Sequence, residues 1–520
     1  MAAAQLPIPA FAALSDVYPE GTVPGEVTRW NDLASTFEKT YGAPATHVAR
    51  APGRVNILGE HIDYSLFPVL PAAIEQDIII ALRPTSATER RVRLANVDPR
   101  FAPTEFTLTR TDKGWDADFD GSASYWGNYA KAAILECLAR FFPPGSGKEP
   151  VGLDLLMSGT VPPGAGLSSS AAFVVSSVIM FLAANGLTEG KSKGDVVEMA
   201  IASEHRLGLR TGGMDQSASA LCLKNSLLHL AFHPNLDPTP LPLPEGLAVV
   251  ITNSLAPHSL ADSAPERYNL RVVEVLVASR LLLHAWVVDD TRLKASGEDG
   301  RIWLKEALDL WQKKEGISND ELFEKALAAL PDVLGKNGRD IEGWTKEEMI
   351  EASGMTAEAF TETYLNFIPV RAERFQLYKR AYHTFAESLR VSLFKSRCEE
   401  VARDPISNPA DDPRAWELGA LLNGSHDSLR DLFDATVPEV EQLRDLCLKH
   451  GALGARQTGG GWGGAVISLL PVQDVPAFLE TIKKSYPPFA KLSPKELEDA
   501  AFATLPGVGA GVYEVKGEIN

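Results

Sequence analysis

The first half of the chain alternates short apolar runs with helical patterns. From about residue 48 to residue 247, apolar runs of strand length are separated from helical segments by turns rich in glycine and proline. This pattern is typical of an α/β domain. Residues 151–157 predict a strand, a glycine-rich loop follows over 158–166, and a long apolar helix begins near Ser168. The chain therefore presents a strand, a glycine loop and a helix in that order.

Helical patterns dominate the second half. A second helix of the α/β part is predicted over 195–207, before a turn region at 208–213, and residues 247–253 predict another buried strand. Helical periodicity then runs from 267 to 449, and within it the segment 289–361 is charged and broken by glycines, which predicts surface helices. Strand character returns near the end of the chain. The two strands and the helix between them are predicted over 465–470, 511–515 and 477–486.

The length of 520 residues exceeds what one hydrophobic core usually supports. We predict an N-terminal α/β domain over 1–240 and a C-terminal α+β domain over 241–520. A helical insertion is predicted within the second domain at about 285–370.

Composition and charge narrow the function classes. The chain is 45% hydrophobic and 23% charged, as a globular protein is, and its formal net charge is −18. This charge repels nucleic-acid phosphates and anionic membranes, so we expect neither as a direct partner. The apolar run 171–185 is too short to span a membrane. The first 20 residues lack the basic start of a secretion signal, and the four cysteines have no redox or zinc spacing, so a cytoplasmic location is expected.

A candidate phosphate site lies at the start of the long apolar helix. Residues 163–172 read Pro-Gly-Ala-Gly-Leu-Ser-Ser-Ser-Ala-Ala. Glycines let the backbone approach a ligand, and the free N–H groups of a helix N-terminus favour an anion such as phosphate. Serine hydroxyls add donors, and one of them can ligate magnesium. The alternative is a plain helix cap, because serine is favoured at that position anyway.

Two other nucleotide motifs fail on their context. Residues 185–192 have asparagine where a Walker loop needs its first glycine. Residues 459–464 match Gly-x-Gly-x-x-Gly, but they lead into a predicted strand, whereas a dinucleotide fold requires a helix there.

A dense polar segment provides a candidate substrate site. Residues 54–64 read Arg-Val-Asn-Ile-Leu-Gly-Glu-His-Ile-Asp-Tyr. Carboxylates and imidazole together bind polyhydroxylated ligands, because they accept and donate several hydrogen bonds at once. A surface turn with salt bridges is the alternative.

Two acidic residues complete the candidate chemistry. Asp215 follows paired glycines, and Glu204 lies eleven residues earlier on a predicted helix. Phosphoryl transfer requires a group that takes the proton of the acceptor hydroxyl, which suits Asp215, and a magnesium ligand, which suits Glu204. Arg54 can pair with Asp215 and stabilise charge on the transferring phosphoryl group. Taken singly, such residues are more often an exposed helix residue and a turn residue.

Three separated motifs resemble those of the galactokinases in the GHMP kinase superfamily. Residues 51–64 resemble the galactokinase signature, 161–172 resemble the phosphate-binding loop of the superfamily, and 456–464 resemble its glycine-rich third motif. Further similarity extends over the segments 69–73, 126–129, 268–271 and 423–430. The stretch 268–274 and the long helical insertion look most like those of fungal galactokinases.

This resemblance implies ATP-dependent phosphorylation of the C1 hydroxyl of galactose, with Mg²⁺. Asp215 would be the catalytic base and Arg54 its charge partner. The residues implied to bind the sugar beside these two are Glu60, His61, Asp63, Gly213 and Tyr268. Those implied to bind ATP are Gly164, Gly166, Leu167, Ser168, Ser169 and Ser170, with Trp126 and Tyr129 flanking the adenine. Magnesium would be held by Ser169 and Glu204.

The resemblance also implies a two-domain fold. The N-terminal domain would be of the ribosomal-protein-S5-like type and the C-terminal domain ferredoxin-like, with the nucleotide between them. The third motif departs slightly from the family pattern, because Gly460 replaces alanine and Ala465 replaces cysteine. Both replacements are small, and we expect little effect.

Two alternative functions stay open. One is an N-acetylgalactosamine kinase, since such enzymes share the Gly-Glu-His-Ile-Asp-Tyr pattern. The other is a sensor that binds galactose and ATP and then engages a transcriptional repressor. Sensor-only relatives have a shortened serine loop, whereas residues 168–172 show no deletion, which favours catalysis.

Overall fold

The structure is a computed structural model that describes residues 3–86, 88–117, 126–208, 212–256, 263–312 and 317–520. The turn predicted at 208–213 includes residues 209–211, which lie outside the described residues. Among the helices of the described ranges, none combines the length and the apolar character that a membrane crossing requires.

The larger sheet has seven strands and contains both ends of the chain. In order across the sheet its strands are Ala10–Phe11, Gly511–Glu514, His47–Asn56, Pro71–Pro84, Leu153–Gly159, Arg91–Asn96 and Thr104–Thr107. The strand Gly511–Glu514 had been assigned to the C-terminal domain by position alone. It pairs antiparallel with His47–Asn56, with Gly511 opposite Arg50. A short apolar run predicts a strand but carries no information on its partner strand. The domain boundary near residue 240 stays a prediction.

Five α-helices accompany the N-terminal part of the chain within the described ranges. They are Val23–Tyr41, Asn128–Phe141, Ser169–Ala184, Lys193–Arg206 and Met214–Leu221. Ser169–Ala184 packs on the strands His47–Asn56 and Pro71–Pro84, and its side chains from 171 to 182 are all buried. A helix that is apolar all round must be enclosed in this way. The predictions of a helix near Ser168 and of one over 195–207 are confirmed, with the second helix starting two residues earlier.

The smaller sheet has four antiparallel strands. In order they are Gly454–Thr458, Ala465–Pro471, Leu247–Asn253 and Ala501–Thr504. Three helices adjoin this sheet and form a second apolar core with it: Pro438–Lys449, Val475–Ser485 and Pro494–Ala500. The predicted strand 247–253 is confirmed residue for residue. Two small hairpins complete the strands, and they join Thr109–Thr111 to Gly114–Asp116 and Ser226–Ala231 to Asp237–Pro242.

The other α-helices that the structure describes lie between the strand Leu247–Asn253 and the helix Pro438–Lys449. They are Tyr268–Ala285, Leu304–Gln312, Asn319–Leu334, Arg339–Glu342, Lys346–Ser353, Ala357–Phe360, Leu377–Arg403 and Pro413–Asp431. The segment expected to form surface helices buries one face in the main core. Asn319–Leu334 packs along Leu377–Arg403, and Phe323 contacts Phe67 with ring centroids 5.9 Å apart. The prediction of surface helices rested on the high charge of this segment. An amphipathic helix can carry such charge on one face and still bury its apolar face.

Candidate active site

The phosphate loop leaves the strand Leu153–Gly159 and enters the helix Ser169–Ala184. Ser168 stands at the helix N-cap with a positive φ of 57°, and its hydroxyl caps no backbone N–H of its helix. That hydroxyl donates to Oδ2 of Asp215. Ser168 is therefore not a plain helix cap, and Ser169 and Ser170 follow it half-buried in the first turn.

The third motif lies directly on this loop. Gly459 has a φ of 91°, and a Cβ there would overlap the carbonyl oxygen of Gly166. A Cβ on Gly464 would lie 2.9 Å from the carbonyl oxygen of Ala165. Side chains are excluded at both positions because the two loops, more than 280 residues apart in the chain, meet backbone to backbone.

Asp215 lies in the first turn of the helix Met214–Leu221 and joins the sugar motif to the phosphate loop. The guanidinium of Arg54 donates through Nε to Oδ1 of Asp215 at 2.8 Å and through Nη1 to the carbonyl oxygen of Gly166 at 2.6 Å. The Arg54 side chain is 4% exposed, whereas Asp215 is 25% exposed and accessible to a ligand. The structure thus brings together the two residues that sequence reasoning paired.

Asp63 is a second carboxyl at this site, and it is buried. Gly212 packs so closely that a Cβ there would overlap the Asp63 carboxyl group. Burial and the charge of Asp215 raise the pKa of Asp63 to about 7. The adjacent Gly213 begins the Met214–Leu221 helix with a φ of 97°. A Cβ on Gly213 would lie 2.7 Å from Cδ1 of Ile201, so this backbone also leaves no room for a side chain.

Glu60 is buried and joins the sugar motif to the third motif. Its Oε1 accepts hydrogen bonds from the backbone N–H of Gly459 at 2.8 Å, from the Thr458 hydroxyl at 3.2 Å and from Arg456 Nη1 at 3.4 Å. Burial raises the pKa of Glu60, and the charge of Arg456 opposes this. The sequence predicted Glu60 as a sugar ligand but not its hydrogen bonds to the third motif. These partners lie almost 400 residues away in the chain, so no local spacing indicates them.

His61 lies among aromatic rings. The ring centroids of Phe433, Tyr268 and Trp462 lie 5.0, 5.5 and 5.8 Å from that of His61. Burial lowers the pKa of His61 to about 3, so its imidazole is neutral at physiological pH. Tyr268 begins the helix Tyr268–Ala285. Burial raises the pKa of its phenol, and the charge of Asp63 raises it further.

The aromatic residues expected to flank adenine lie beside the helix that follows the phosphate loop. Trp126 stacks on Phe173, with ring centroids 5.7 Å apart and planes inclined by 20°. Tyr129 contacts the same ring with centroids 6.4 Å apart.

Glu204 lies on the helix Lys193–Arg206, which packs against both Ser169–Ala184 and Met214–Leu221. Glu204 is buried. Burial raises the pKa of the Tyr129 phenol, and the charge of Glu204 raises it further. No three His, Cys, Asp or Glu side chains of the described ranges gather as a metal site. A nucleotide-bound magnesium ion needs one or two protein oxygens, because waters and phosphates complete its shell. A Glu204 carboxylate and a serine hydroxyl are donors of the required kind.

Comparisons with known proteins agree with this geometry. Family models match in three places: "Galactokinase galactose-binding signature" at residues 35–84, "GHMP kinases N terminal domain" at 128–222 and "GHMP kinases C terminal" at 413–487.

Relatives match over nearly the whole length of the chain. Galactokinase of Candida parapsilosis is 33% identical, with 93% of this chain and 94% of the relative covered. Galactokinase of Saccharomyces cerevisiae is also 33% identical, with coverage of 93% and 94%. The crystal structure of Lactococcus lactis galactokinase complexed with galactose superposes with a TM-score of 0.65 at 23% identity. It covers 94% of this chain and 100% of that one, which confirms the two-domain GHMP kinase fold. On the strength of these relatives and the three family models, the chain belongs to the galactokinase family of sugar kinases.

Proposed function

We propose that the protein transfers the γ-phosphoryl group of ATP to the C1 hydroxyl of galactose, giving galactose 1-phosphate and ADP. One observation carries the proposal: Asp215 is held by Arg54 of the sugar motif on one oxygen and by Ser168 of the phosphate loop on the other. A carboxylate that takes the acceptor's proton during in-line transfer must lie beside both the acceptor hydroxyl and the phosphoryl donor, and this arrangement supports such a role for Asp215.

In the proposed reaction Asp215 takes the proton of the sugar hydroxyl. The two hydrogen bonds to its carboxylate fix its orientation, and a quarter of its side chain stays exposed, which leaves it accessible to the sugar hydroxyl. Arg54 stabilises the negative charge that develops as the phosphoryl group moves. The sugar hydroxyls are bound by Asp63, His61 and Tyr268, while Glu60 both borders the sugar and braces the segment through its bonds to the third motif.

The nucleotide phosphates are proposed to lie at the N-terminus of the Ser169–Ala184 helix, where free backbone N–H groups point outward. The loop residues Gly164, Gly166 and Leu167 supply backbone, and the three serines supply hydroxyl donors. Trp126 and Tyr129 border the adenine. Magnesium, held by Ser169 and Glu204, would neutralise charge on the phosphates.

The alternatives receive less support. The relatives named above are galactokinases, which does not favour an N-acetylgalactosamine kinase. Binding of a transcriptional repressor stays a prediction, and ligand-dependent co-purification of such a partner tests it. We place the reaction in the cytoplasm because all four cysteines are buried as free thiols, as a reducing compartment permits.

The test compares Asp215→Asn and Asp215→Ala with the parent protein in a coupled assay of ADP release. Turnover should fall by roughly 10²–10⁴-fold in both variants, with little change in the KM for ATP, because a base acts in the transition state. Asp195→Asn is the matched control, since Asp195 also lies in the first turn of a helix but forms a capping box with Ser192. Turnover of Asp215→Asn above a tenth of the parent value would refute the assignment of the base.

A further inference from the structure

A helix of the C-terminal half holds the backbone of the sugar motif at two successive residues. On the helix Leu377–Arg403, Glu387 accepts a hydrogen bond through Oε1 from the backbone N–H of Gly59 at 2.9 Å. One turn earlier, His383 Nε2 lies 3.1 Å from the carbonyl oxygen of Glu60. A carbonyl can only accept, so the His383 nitrogen donates, which fixes the tautomer with the proton on Nε2.

A second helix completes both contacts. On Pro413–Asp431, the Ser425 hydroxyl donates to Glu387 Oε1 at 2.7 Å, and the Ser428 hydroxyl lies 2.8 Å from His383 Nδ1. With the His383 proton on Nε2, Nδ1 is the acceptor, so Ser428 donates to it. Both serines belong to the segment 423–430, which sequence analysis singled out without finding a role for it.

The four side chains, Glu387, His383, Ser425 and Ser428, are buried, and we call them the backbone clamp. Burial acts to raise the pKa of Glu387, but the charges of Arg390 and Arg456 outweigh it and the pKa falls to about 2, so its carboxylate stays ionised. Burial lowers the pKa of His383 to about 4, so its imidazole stays neutral and keeps one donor and one acceptor. Buried polar groups that are fully hydrogen-bonded in this way rigidify what they contact.

The clamped peptide has little freedom of its own. Gly59 has a φ of 108°, and a Cβ there would lie 2.7 Å from Val69 Cγ1. Directly after it come Glu60, His61 and Asp63, the side chains that border the proposed sugar site. A shift of the backbone at Gly59 and Glu60 would displace all three together, and displacements near 1 Å are costly in a preorganised site.

We propose that Glu387 and His383 are positioning residues for galactose, which act through the Gly59–Glu60 backbone and touch neither the sugar nor the nucleotide. The inference rests on the proposed function. It assigns the segment 423–430 and the Leu377–Arg403 helix a part in sugar affinity.

Two matched pairs of variants test the backbone clamp. Glu387→Asp keeps the charge but shortens the reach to Gly59, whereas Glu387→Gln keeps an acceptor at full reach for Gly59 and gives up the ion pair with Arg390. His383→Asn removes the donor to Glu60, whereas His383→Gln carries an amide N–H at about the position of Nε2. We expect the two short variants to raise the KM for galactose about tenfold or more, since a lost hydrogen bond to a charged or buried group costs that much. The two long variants should stay within about threefold of the parent KM.

Comparing the KM for galactose with the KM for ATP distinguishes a positioning role from a merely stabilising one. The KM for ATP should rise much less than the KM for galactose in every clamp variant, because the clamp contacts the backbone of the sugar motif and reaches the phosphate loop only through Glu60 and the third motif. Thr384→Val is the control on the same helix, since its buried hydroxyl donates to the carbonyl oxygen of Arg380 within that helix. It should leave both KM values unchanged. Ser425→Ala, which removes one donor to Glu387, replaces Glu387→Asp if that variant does not fold, and should raise the KM for galactose about threefold.

Two outcomes overturn the inference. One is an unchanged galactose KM in the short variants and in Ser425→Ala, while the parent protein phosphorylates galactose. The other is an equal rise of the KM for galactose and for ATP. Failure of the parent protein itself to phosphorylate galactose would instead refute the proposed function, so the two failures are distinguishable.

Discussion

Ionisation of Asp63 should destabilise the ligand-free fold as pH rises. Burial and the charge of Asp215 raise the pKa of Asp63 from its ordinary 3.8 to about 7, and hydrogen bonds from the backbone of Tyr64 and Met214 oppose this only in part. Between these two pH values the folded protein keeps a proton that the unfolded chain has released. Folding stability therefore falls as pH rises through this window, and above pH 7 the full cost is present.

Asp63→Asn removes that cost, because an amide is neutral at every pH. The shift of about three pKa units corresponds to at most about 4 kcal/mol, at about 1.4 kcal/mol per unit. Partial hydration of the ionised carboxylate lowers the expected gain to about 2 kcal/mol. Thermal unfolding without ligands at about pH 5, 7 and 8.5 measures it, and the variant should gain on the parent protein as pH rises.

The control for this experiment is Asp32→Asn, since Asp32 is exposed on the Val23–Tyr41 helix. It should unfold like the parent protein at every pH. A difference between Asp63→Asn and the parent that is the same at all three pH values would refute the reasoning, as would a difference that moves against the variant at high pH. Asp63→Asn should also raise the KM for galactose strongly, because it removes a carboxyl acceptor from the proposed sugar site.

Substitutions at Gly459, Trp126 and Glu204 test the nucleotide side. Gly459→Ala should raise the KM for ATP at least tenfold, because its Cβ would overlap the carbonyl oxygen of Gly166. Gly451→Ala is the control, since its φ of 103° gives the same backbone strain but no atom lies within 4 Å of its Cβ. It should leave the KM for ATP unchanged. Trp126→Ala should raise the KM for ATP about tenfold and Trp126→Phe much less, with the galactose KM constant in both, and equal changes for both substrates would count against the adenine assignment. Glu204→Gln should shift the magnesium concentration for half-maximal activity upward by about tenfold, which a magnesium titration at fixed ATP measures, and an unshifted titration would contradict its role as a ligand.

Strong local signals made part of the fold predictable. The strand Leu247–Asn253 was predicted residue for residue, because a short apolar run ends there in polar residues. The helix Ser169–Ala184 was predicted because a glycine-rich loop precedes a long apolar segment. The pairing of Gly511–Glu514 with His47–Asn56 was not predictable, since strand partners far apart in the chain are chosen by the packing of the whole domain.

In the candidate site, too, some contacts could be predicted from the sequence and others could not. Arg54 and Asp215, which are 161 positions apart, were paired by chemistry and by resemblance, and the structure brings them within hydrogen-bond distance. The partners of Glu60 and the contact of Glu387 with the sugar motif could not be predicted. Glu387 is one of many charged residues on a 27-residue helix, and its burial becomes visible when the helices on both sides are in place.

The most direct test of the account is to incubate the protein with galactose, ATP and magnesium and to follow the products by phosphorus NMR and ADP release. The account predicts one galactose 1-phosphate for each ADP, with formation of both lost in Asp215→Asn. Release of ADP without a phosphorylated sugar, phosphorylation at another hydroxyl, or undiminished product from Asp215→Asn would contradict it.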